Sequence, residues 1–482
     1  MSAWTTDSSG RLPRVAIVGG GPGGLFTAWH LERLAATPVS LTIFEASDRL
    51  GGKVCTNSFA SAAVRYEAGA AEFYDYSPVA DDPLRELVHA LGLPTVSLGG
   101  SSVFLAGRQV ANLDDLVDVC GVTARDELAR FDTHARSSMT PAEFYESGSD
   151  HAAHAAPGGR FPTLLNRIRC ERARRYLEAM IHSDLAAEAV DTDCGYGLQN
   201  YLMNDPAYMQ LYCIPGGNEQ LMQAVAARLA AEVRLGMAVT EVAEGARGTI
   251  RLQLEPQGLP EARGRTLVED FEVVILALPI EALKRIGFRG PPLADAMRRH
   301  VEHHDHPAHY LRVSVLLDRP APPLPGDDAF LMLDAFGGTC LYVESARDPS
   351  ATYGVLGWLL GGAAAVEMES LADEALVATV LDSLPPPLAA CRDQVMEARV
   401  HRWSGAVSAL PGGWTRLPVD RRHRPSPAHP RLFVVGDYLY DSTLNGVLDS
   451  AEHVAGWVAA EHAVGPAALR LDRWAGMREE MR

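Results

Sequence analysis

Three glycines near the amino terminus, together with one glutamate further along, have the types and spacing needed to bind a nucleotide. Gly19, Gly21 and Gly24 form a G-x-G-x-x-G pattern, and Glu45 follows roughly 20 residues later. Such glycines allow a tight turn and let the backbone approach a pyrophosphate, while an acidic residue at that distance can bind the ribose hydroxyls. The pattern therefore predicts a dinucleotide site.

The elements around these glycines are those that a dinucleotide site needs. An apolar run at 14–18 predicts a buried parallel strand, and Leu25, Ala28 and Leu31 follow the glycines at helical spacing. A second apolar run, 39–44, ends directly before Glu45. Strand, glycine turn and helix place backbone N–H groups and the positive end of the helix dipole against the phosphates. This context does not distinguish a nicotinamide from a flavin cofactor.

The residues after Glu45 favour a flavin. They read Glu-Ala-Ser-Asp-Arg-Leu-Gly-Gly-Lys and end at Lys53. This stretch resembles the E-x-x-x-R-x-G-G-R segment of the flavin amine oxidase superfamily, which includes monoamine, polyamine and L-amino acid oxidases. Lys53 replaces the last arginine of that segment, so the positive charge is kept and the planar fork of donors is lost.

The resemblance continues along the whole chain in the order of the family. It covers 66–73, 214–221, 233–242, 272–279 and 432–447. It implies an FAD that is bound non-covalently, since the Gly412-Gly413 segment carries no cysteine. The residues that would contact this FAD are Gly19, Gly21, Pro22, Gly23, Gly24, Glu45, Ala46, Gly52, Lys53, Gly69, Ala70, Ala71, Val239, Gly436, Asp437, Asn445, Gly446 and Val447.

The resemblance also implies the fold class. We expect an α/β protein of the two-domain amine oxidase type, with a Rossmann-like FAD-binding domain and a discontinuous α+β substrate domain. The FAD-binding domain would comprise 1–75, 205–290 and 425–482. The substrate domain would comprise 76–204 and 291–424, with a helical part at about 80–190.

The active-site lysine that many members of the superfamily keep is absent. The chain has only two lysines, Lys53 and Lys284, and both lie in other segments. In the matching segment Arg312 stands at the lysine position, and an arginine side chain cannot act as a base because it stays charged. The side chains that could handle a proton instead are His306, His309 and Glu72, although the histidines could equally belong to a solvated turn.

Glu72 stands where L-amino acid oxidases carry an arginine that binds the substrate carboxylate. A carboxylate there would repel an amino acid's carboxylate and attract a cationic amine. Two readings remain open: the substrate is an amine, or another residue such as Arg312 or Arg402 binds a substrate carboxylate. Glu72 could also bond only to local groups. The predicted catalytic set is Glu72, Arg312, His309, Trp403 and Tyr440, of which the last two, with Tyr438, could line an aromatic cage or simply belong to the core.

Composition excludes several other classes of protein. The chain of 482 residues has a net charge of −18, which disfavours binding to nucleic acids. Seven cysteines without a C-x-x-C pair predict neither a metal site nor a disulfide framework. No apolar stretch reaches the roughly 20 residues of a spanning helix, so we expect a cytoplasmic protein without membrane contact, and a homodimer is possible.

The sequence thus predicts an enzyme that oxidises the C–N bond of an amine or amino acid by hydride transfer to FAD. The imine product would be hydrolysed, and molecular oxygen is the expected electron acceptor. Two alternatives stay open: a flavin-dependent desaturase or monooxygenase acting on a biosynthetic substrate, and a non-catalytic flavoprotein.

Overall fold

The computed structural model describes residues 12–35, 38–100, 102–146, 159–258, 264–324, 328–344, 352–440 and 442–462. The two ends of the predicted FAD-binding domain, 1–11 and 463–482, lie outside these described residues. Within the described residues, no helix combines the length and apolar character that crossing a membrane requires.

The strands are distributed along the whole described chain. They are β1 (Arg14–Val18), β2 (Ser40–Phe44), β3 (Thr56–Ser58), β4 (Arg65–Glu67), β5 (Phe73–Asp75), β6 (Val96–Leu98), β7 (Val103–Leu105), β8 (Arg108–Val110), β9 (Gln210–Cys213), β10 (Glu232–Arg234), β11 (Met237–Glu244), β12 (Ile250–Pro256), β13 (Leu267–Phe271), β14 (Val273–Leu276), β15 (Gly287–Arg289), β16 (Pro307–Leu317), β17 (Phe330–Leu333), β18 (Thr339–Val343), β19 (Gly354–Gly361), β20 (Val395–Ser408) and β21 (Leu432–Val434).

Six of the described α-helices lie between β8 and β9, and the others are spread along the rest of the described chain. They are α1 (Pro22–Leu34), α2 (Pro83–Ala90), α3 (Leu116–Cys120), α4 (Val122–Ser138), α5 (Pro141–Glu146), α6 (Pro162–Leu165), α7 (Glu171–Leu185), α8 (Cys194–Leu202), α9 (Glu219–Ala226), α10 (Ile280–Leu283), α11 (Pro291–His304), α12 (Gly362–Met368), α13 (Asp373–Asp382), α14 (Val419–His423) and α15 (Leu444–His462).

A five-stranded parallel sheet carries the predicted nucleotide site. Its strand order is β10-β2-β1-β14-β21, so strands from the start, middle and end of the chain lie side by side. Both faces of the sheet are covered: Val15 and Ile17 pack with α1 and α15, while Ala16 and Val18 face the sheet β13-β12-β11-β15. Because both faces are buried, β1 is a continuous apolar run rather than an alternating one.

A seven-stranded mixed sheet forms the centre of the other half of the molecule. Its order is β20-β16-β19-β18-β17-β7-β8, and the long strand β16 pairs antiparallel with both β19 and β20. One face packs against α12 and α13, and side chains of the other face join the core of α4, α7 and α8.

The stretch 80–190, predicted to be helical, is helical only in part. It contains α2 to α7, and it also contributes β6, β7 and β8. Strand β7 pairs in parallel with β17, which extends the seven-stranded sheet. Val103 and Leu105 are fully buried in that position. The short apolar runs that make these strands carry too few residues for their period to be read from sequence.

Candidate active site

The glycine turn after β1 leaves space for a ligand at one position. A side chain at Gly24 would come within 1.9 Å of the Gly19 carbonyl oxygen, so this glycine is required by the packing of α1 on the turn. Gly21 differs, because a Cβ there would meet only the Cα of Gly52, at 3.7 Å. Its φ of −77° needs no glycine either. The protein itself does not require glycine at 21, whereas a pyrophosphate lying against the backbone would.

Glu45 lies beside this turn at the end of β2. Its carboxylate accepts hydrogen bonds from the backbone N–H groups of Gly20, at 2.7 Å, and Ser47, at 2.9 Å. The Glu45 carbonyl accepts from the N–H of Met237, at 2.8 Å, which places β11 with Val239 against the same loop. Ala46 is exposed there. These contacts bring Glu45, the predicted ribose-binding residue, and Val239, a predicted FAD contact, to one edge of the sheet.

The second glycine pair forms a loop that faces the first. The Arg49 guanidinium donates to the carbonyls of Leu50, at 3.2 Å, and Gly52, at 2.5 Å. Arg49 thus fixes the loop from within. Lys53 then points towards the carboxyl-terminal part of the chain: its ammonium donates to the Ala406 carbonyl and lies 3.9 Å from the Asp437 carboxylate.

The carboxyl-terminal segment supplies a second helix start near the first. The amide nitrogen of Asn445 donates to Asp82, at 3.0 Å, while its amide oxygen is buried without a hydrogen-bond partner among the described residues. A Cβ at Gly23 of α1 would lie 3.8 Å from Val447 of α15, so the first turns of the two helices meet. A flavin nucleotide fits this arrangement, because two helix starts, an unsatisfied acceptor and the open space at Gly21 converge.

The segment 67–71 is held on every side. The carbonyls of Ala68 and Ala70 accept from the Trp403 indole, at 2.7 Å, and the Asn218 amide, at 3.0 Å. A Cβ at Gly69 would come within 1.9 Å of the Lys53 carbonyl oxygen, and Ala71 is buried. Asn218 directly precedes α9, but its side-chain oxygen accepts from the backbone N–H of Ile214, at 3.0 Å, and not from the helix. It therefore braces this segment.

A buried ion pair holds the peptide groups of Glu67. Arg312 and Glu344 contact each other at 2.5 Å, and the Arg312 side chain is only 1% exposed. Arg312 donates to the Glu67 carbonyl, at 2.5 Å, and Glu344 accepts from the Glu67 N–H, at 3.1 Å. The Glu67 carboxylate in turn accepts from the Asn218 N–H, at 2.8 Å, and the Thr56 hydroxyl, at 2.9 Å. Arg312, predicted to stand at the family's lysine position, thus binds the Glu67 carbonyl and the Glu344 carboxylate in the structure.

Glu72 lies in a cavity of about 300 Å³ at the end of this segment. Its carboxylate accepts from the Tyr342 hydroxyl, at 3.0 Å, and the Arg312 guanidinium lies 5.0 Å from the centre of the Tyr342 ring. Among the described residues that line the cavity there is no lysine, arginine or histidine. The lining also includes Tyr74, Asp184, Met203, Asn204, Phe330, Met332 and Cys340.

Asp184 is the functional candidate that sequence reasoning missed. It lies in the last turn of α7 and shares the cavity with Glu72. Burial, and then the charge of Glu72, raise the pKa of its carboxyl group to about 7. An acidic residue on an amphipathic helix carries no signal of its own, so only the tertiary structure could reveal it.

The other predicted catalytic residues do not line this cavity. Trp403 contacts the segment 67–71 as described, and His309 accepts from the N–H of Gly405, at 3.2 Å. Tyr440 packs with its ring centre 5.6 Å from that of His423 and 4.8 Å from the Arg422 guanidinium. Arg402 is bound to Asp373, at 2.7 Å, and to two backbone carbonyls, so its charge is engaged away from the cavity.

His306 belongs to a cluster of histidines in which the rings of His300, His303 and His304 pack against one another and against Trp414 and Tyr438. His304 is buried between Trp414 and Tyr438, with ring centres at 5.9 and 5.3 Å. Burial, and then the neighbouring His300, lower the pKa of His304 to about 2, and burial also lowers the pKa of His306. In the part of the chain that the structure describes, no group of three or more acidic, cysteine or histidine side chains could hold a metal ion.

A family model for flavin-containing amine oxidoreductases matches residues 22–459. The chain belongs to this family. The amine oxidoreductase matches no curated protein sequence. Its fold is similar to those of solved structures that have 17–20% sequence identity to it.

Three of these structures illustrate the range of relatives. A putrescine oxidase variant has 19% identity and a TM-score of 0.70 over 93% of this chain and 99% of its own. Cyclohexylamine oxidase from Brevibacterium oxydans IH-35A has 18% identity and a TM-score of 0.65 over 94% and 99%. A protein described as a protoporphyrinogen oxidase, from Exiguobacterium sp. 255-15, has 17% identity and a TM-score of 0.67 over 93% and 99%. At this identity the likeness shows the fold alone.

Proposed function

We propose that this flavin amine oxidoreductase binds FAD non-covalently and oxidises the C–N bond of a cationic amine, with molecular oxygen as electron acceptor. In balance, the amine, oxygen and water give an aldehyde, ammonia and hydrogen peroxide. The FAD would be held by the two glycine turns, Glu45, Lys53, Asp437 and the start of α15. We also keep the division into the FAD-binding and substrate domains given by the sequence as a proposal.

The observation that carries this proposal is the charge of the cavity. Glu72 and Asp184 line it, and the described lining holds no cationic side chain. A carboxylate in a partly desolvated cavity attracts an ammonium group more strongly than it would in water. An amino acid substrate would bring its own carboxylate next to these two, without a cation to receive it. The cavity therefore favours an amine over an amino acid.

The residues that line the cavity would have separate roles in the reaction. The chemistry that a bound flavin supplies is acceptance of a hydride from the carbon that bears the amine. Glu72, fixed by the Tyr342 hydroxyl, would bind the ammonium group as it enters. The aromatic and methionine side chains of the lining would exclude water around the reacting carbon. The contacts that hold the segment 67–71 would keep the adjacent Glu72 in a fixed position relative to the cofactor.

Anaerobic mixing with substrates tests the proposal directly. Amines, amino acids and uncharged analogues are mixed with the holoprotein, and bleaching of the flavin absorbance is followed; peroxide and ammonia are then measured in air. We expect bleaching with amines and little with amino acids. Glu72→Gln should reduce the efficiency with amines more than with an uncharged analogue. Bleaching by amino acids alone would overturn the assignment.

The same experiment distinguishes the alternative chemistry. A desaturase or monooxygenase would leave the flavin oxidised in the presence of every amine. One of the structural relatives is described as a protoporphyrinogen oxidase, so the fold also accommodates a substrate of another type. The acidic cavity is the reason for preferring amine oxidation.

A further inference from the structure

Asp184 is placed to bind a charge on the substrate other than the one that reacts. The end of α7 is fixed from two sides: the Tyr310 hydroxyl donates to the Ser183 carbonyl, at 2.6 Å, and His182 is bonded to the Gly338 carbonyl, at 2.8 Å. The Asp184 side chain is therefore held at the cavity wall by a rigid element. Glu72 reaches the same cavity from a different segment of the chain.

The carboxylate of Asp184 has no compensating partner in the protein. Among the described residues nothing donates a hydrogen bond to it or forms an ion pair with it, and the titratable groups that interact with it are Glu72, Tyr74, Tyr310 and Cys340. None of these four side chains is cationic in either protonation state. Asp184 is partly buried in the cavity wall, where a carboxylate without a hydrogen-bond partner is costly, and the charge of Glu72 in the same cavity increases that cost. A cation from outside would relieve both.

We infer that Asp184 is a second cation-binding residue of the substrate cavity, and that the substrate is an aliphatic amine with two cationic nitrogen centres. This inference rests on the proposed function, because it assumes that the cavity binds an amine. One nitrogen would be bound at Glu72 and lose its proton to water before oxidation. The other would stay charged against Asp184. A small aliphatic diamine or polyamine has this chemistry.

The test compares matched substrates. The rate and apparent affinity of anaerobic flavin reduction are measured with α,ω-diamines of three to eight carbons and with n-alkylamines of the same lengths. For at least one length we expect the diamine to have an efficiency roughly 10-fold or more above that of its monoamine. This comparison uses the wild-type protein only and does not depend on any variant folding.

Variants then assign the effect to the residue. Asp184→Asn should lower the ratio of diamine efficiency to monoamine efficiency by roughly 10-fold or more. Asp191→Asn is the matched control, since Asp191 is exposed and lies outside the cavity lining. As a readout without turnover, binding of a bis-guanidinoalkane measured by calorimetry should weaken in Asp184→Asn and not in the control.

The outcomes separate this inference from the proposed function. If monoamines bleach the flavin and diamines show no advantage at any length, the second cation site is refuted and amine oxidation stands. An equal loss on monoamines and diamines in Asp184→Asn would also refute it, because that result means that Asp184 acts on the reacting nitrogen. If no amine bleaches the flavin, both proposals fail together.

Discussion

Replacing Glu344 by glutamine should break the buried ion pair that holds the segment beside the flavin site. Arg312 and Glu344 are 1% and 4% exposed at their side chains, so water cannot replace the lost charge. Glutamine has one side-chain oxygen for two donors, Arg312 and the Glu67 N–H. One of these donors would face an N–H₂ group instead of an acceptor.

The magnitude follows from burial. Breaking a buried pair by removing one charge costs about 3–5 kcal/mol, because the remaining charge is left uncompensated. This range includes the about 1–3 kcal/mol lost when a buried N–H group loses its acceptor. We therefore expect Glu344→Gln to lower the free energy of unfolding by about 3–5 kcal/mol. With a denaturant dependence of about 3 kcal/mol/M, the urea midpoint should fall by about 1 M or more.

Urea unfolding of the holoprotein measures this change. Glu302→Gln is the matched control, since Glu302 makes the same kind of pair with Arg298, at 3.0 Å, on the exposed surface of α11. Its midpoint should stay within error of the wild type, because exposed ion pairs contribute little. The ratio of flavin to protein absorbance after gel filtration should also fall in Glu344→Gln and not in the control.

A double variant tests the coupling itself. Arg312→Gln combined with Glu344→Gln removes both charges, so its loss of stability should be smaller than the sum of the two single losses by at least about 1 kcal/mol. Additive losses, or an unchanged midpoint in Glu344→Gln, would show that the pair does not hold this segment.

Three further predictions concern the cofactor and the substrate. Gly21→Ala should have the wild-type unfolding midpoint without flavin but should lose bound flavin. Gly24→Ala should be destabilised both with and without flavin. Equal destabilisation of the two variants without flavin would contradict the open space at Gly21. Lys53→Arg should retain flavin through gel filtration and Lys53→Gln should lose it more readily; identical retention would remove Lys53 from cofactor binding. Since the pKa of Asp184 is raised to about 7 by burial and by Glu72, the protonated form favours folding and stability falls as pH rises from about 4 to 7. The efficiency with diamines should rise as the pH increases through about 7. Asp184→Asn should lose this inflection and should be at least as stable as the wild type at pH 8.

The prediction of a nucleotide site rests on local pattern. The turn at 19–24 and the acidic end of β2 are contiguous in sequence, so the spacing of their residues determines their geometry. The family membership predicted from ordered motifs is confirmed by the match over 22–459. The α/β fold class is confirmed as well.

The surroundings of the predicted substrate-binding residues depend on contacts between distant parts of the chain. Arg312 was predicted to stand at the lysine position, but its partner Glu344 is 32 residues away and carried no motif. Asp184 was not singled out at all. The predicted cage residue Tyr440 lies in a core of imidazole and guanidinium groups, and Arg402 binds Asp373.

The sequence by itself determined that this protein is built to hold a flavin. The residues of a short glycine-rich turn are contiguous, so their types and spacing determine both the conformation of the turn and the ligand that it can bind. Only the tertiary structure decided which charges share the cavity. Partners that come from different sheets and helices meet through packing, and packing depends on the whole chain rather than on any local spacing.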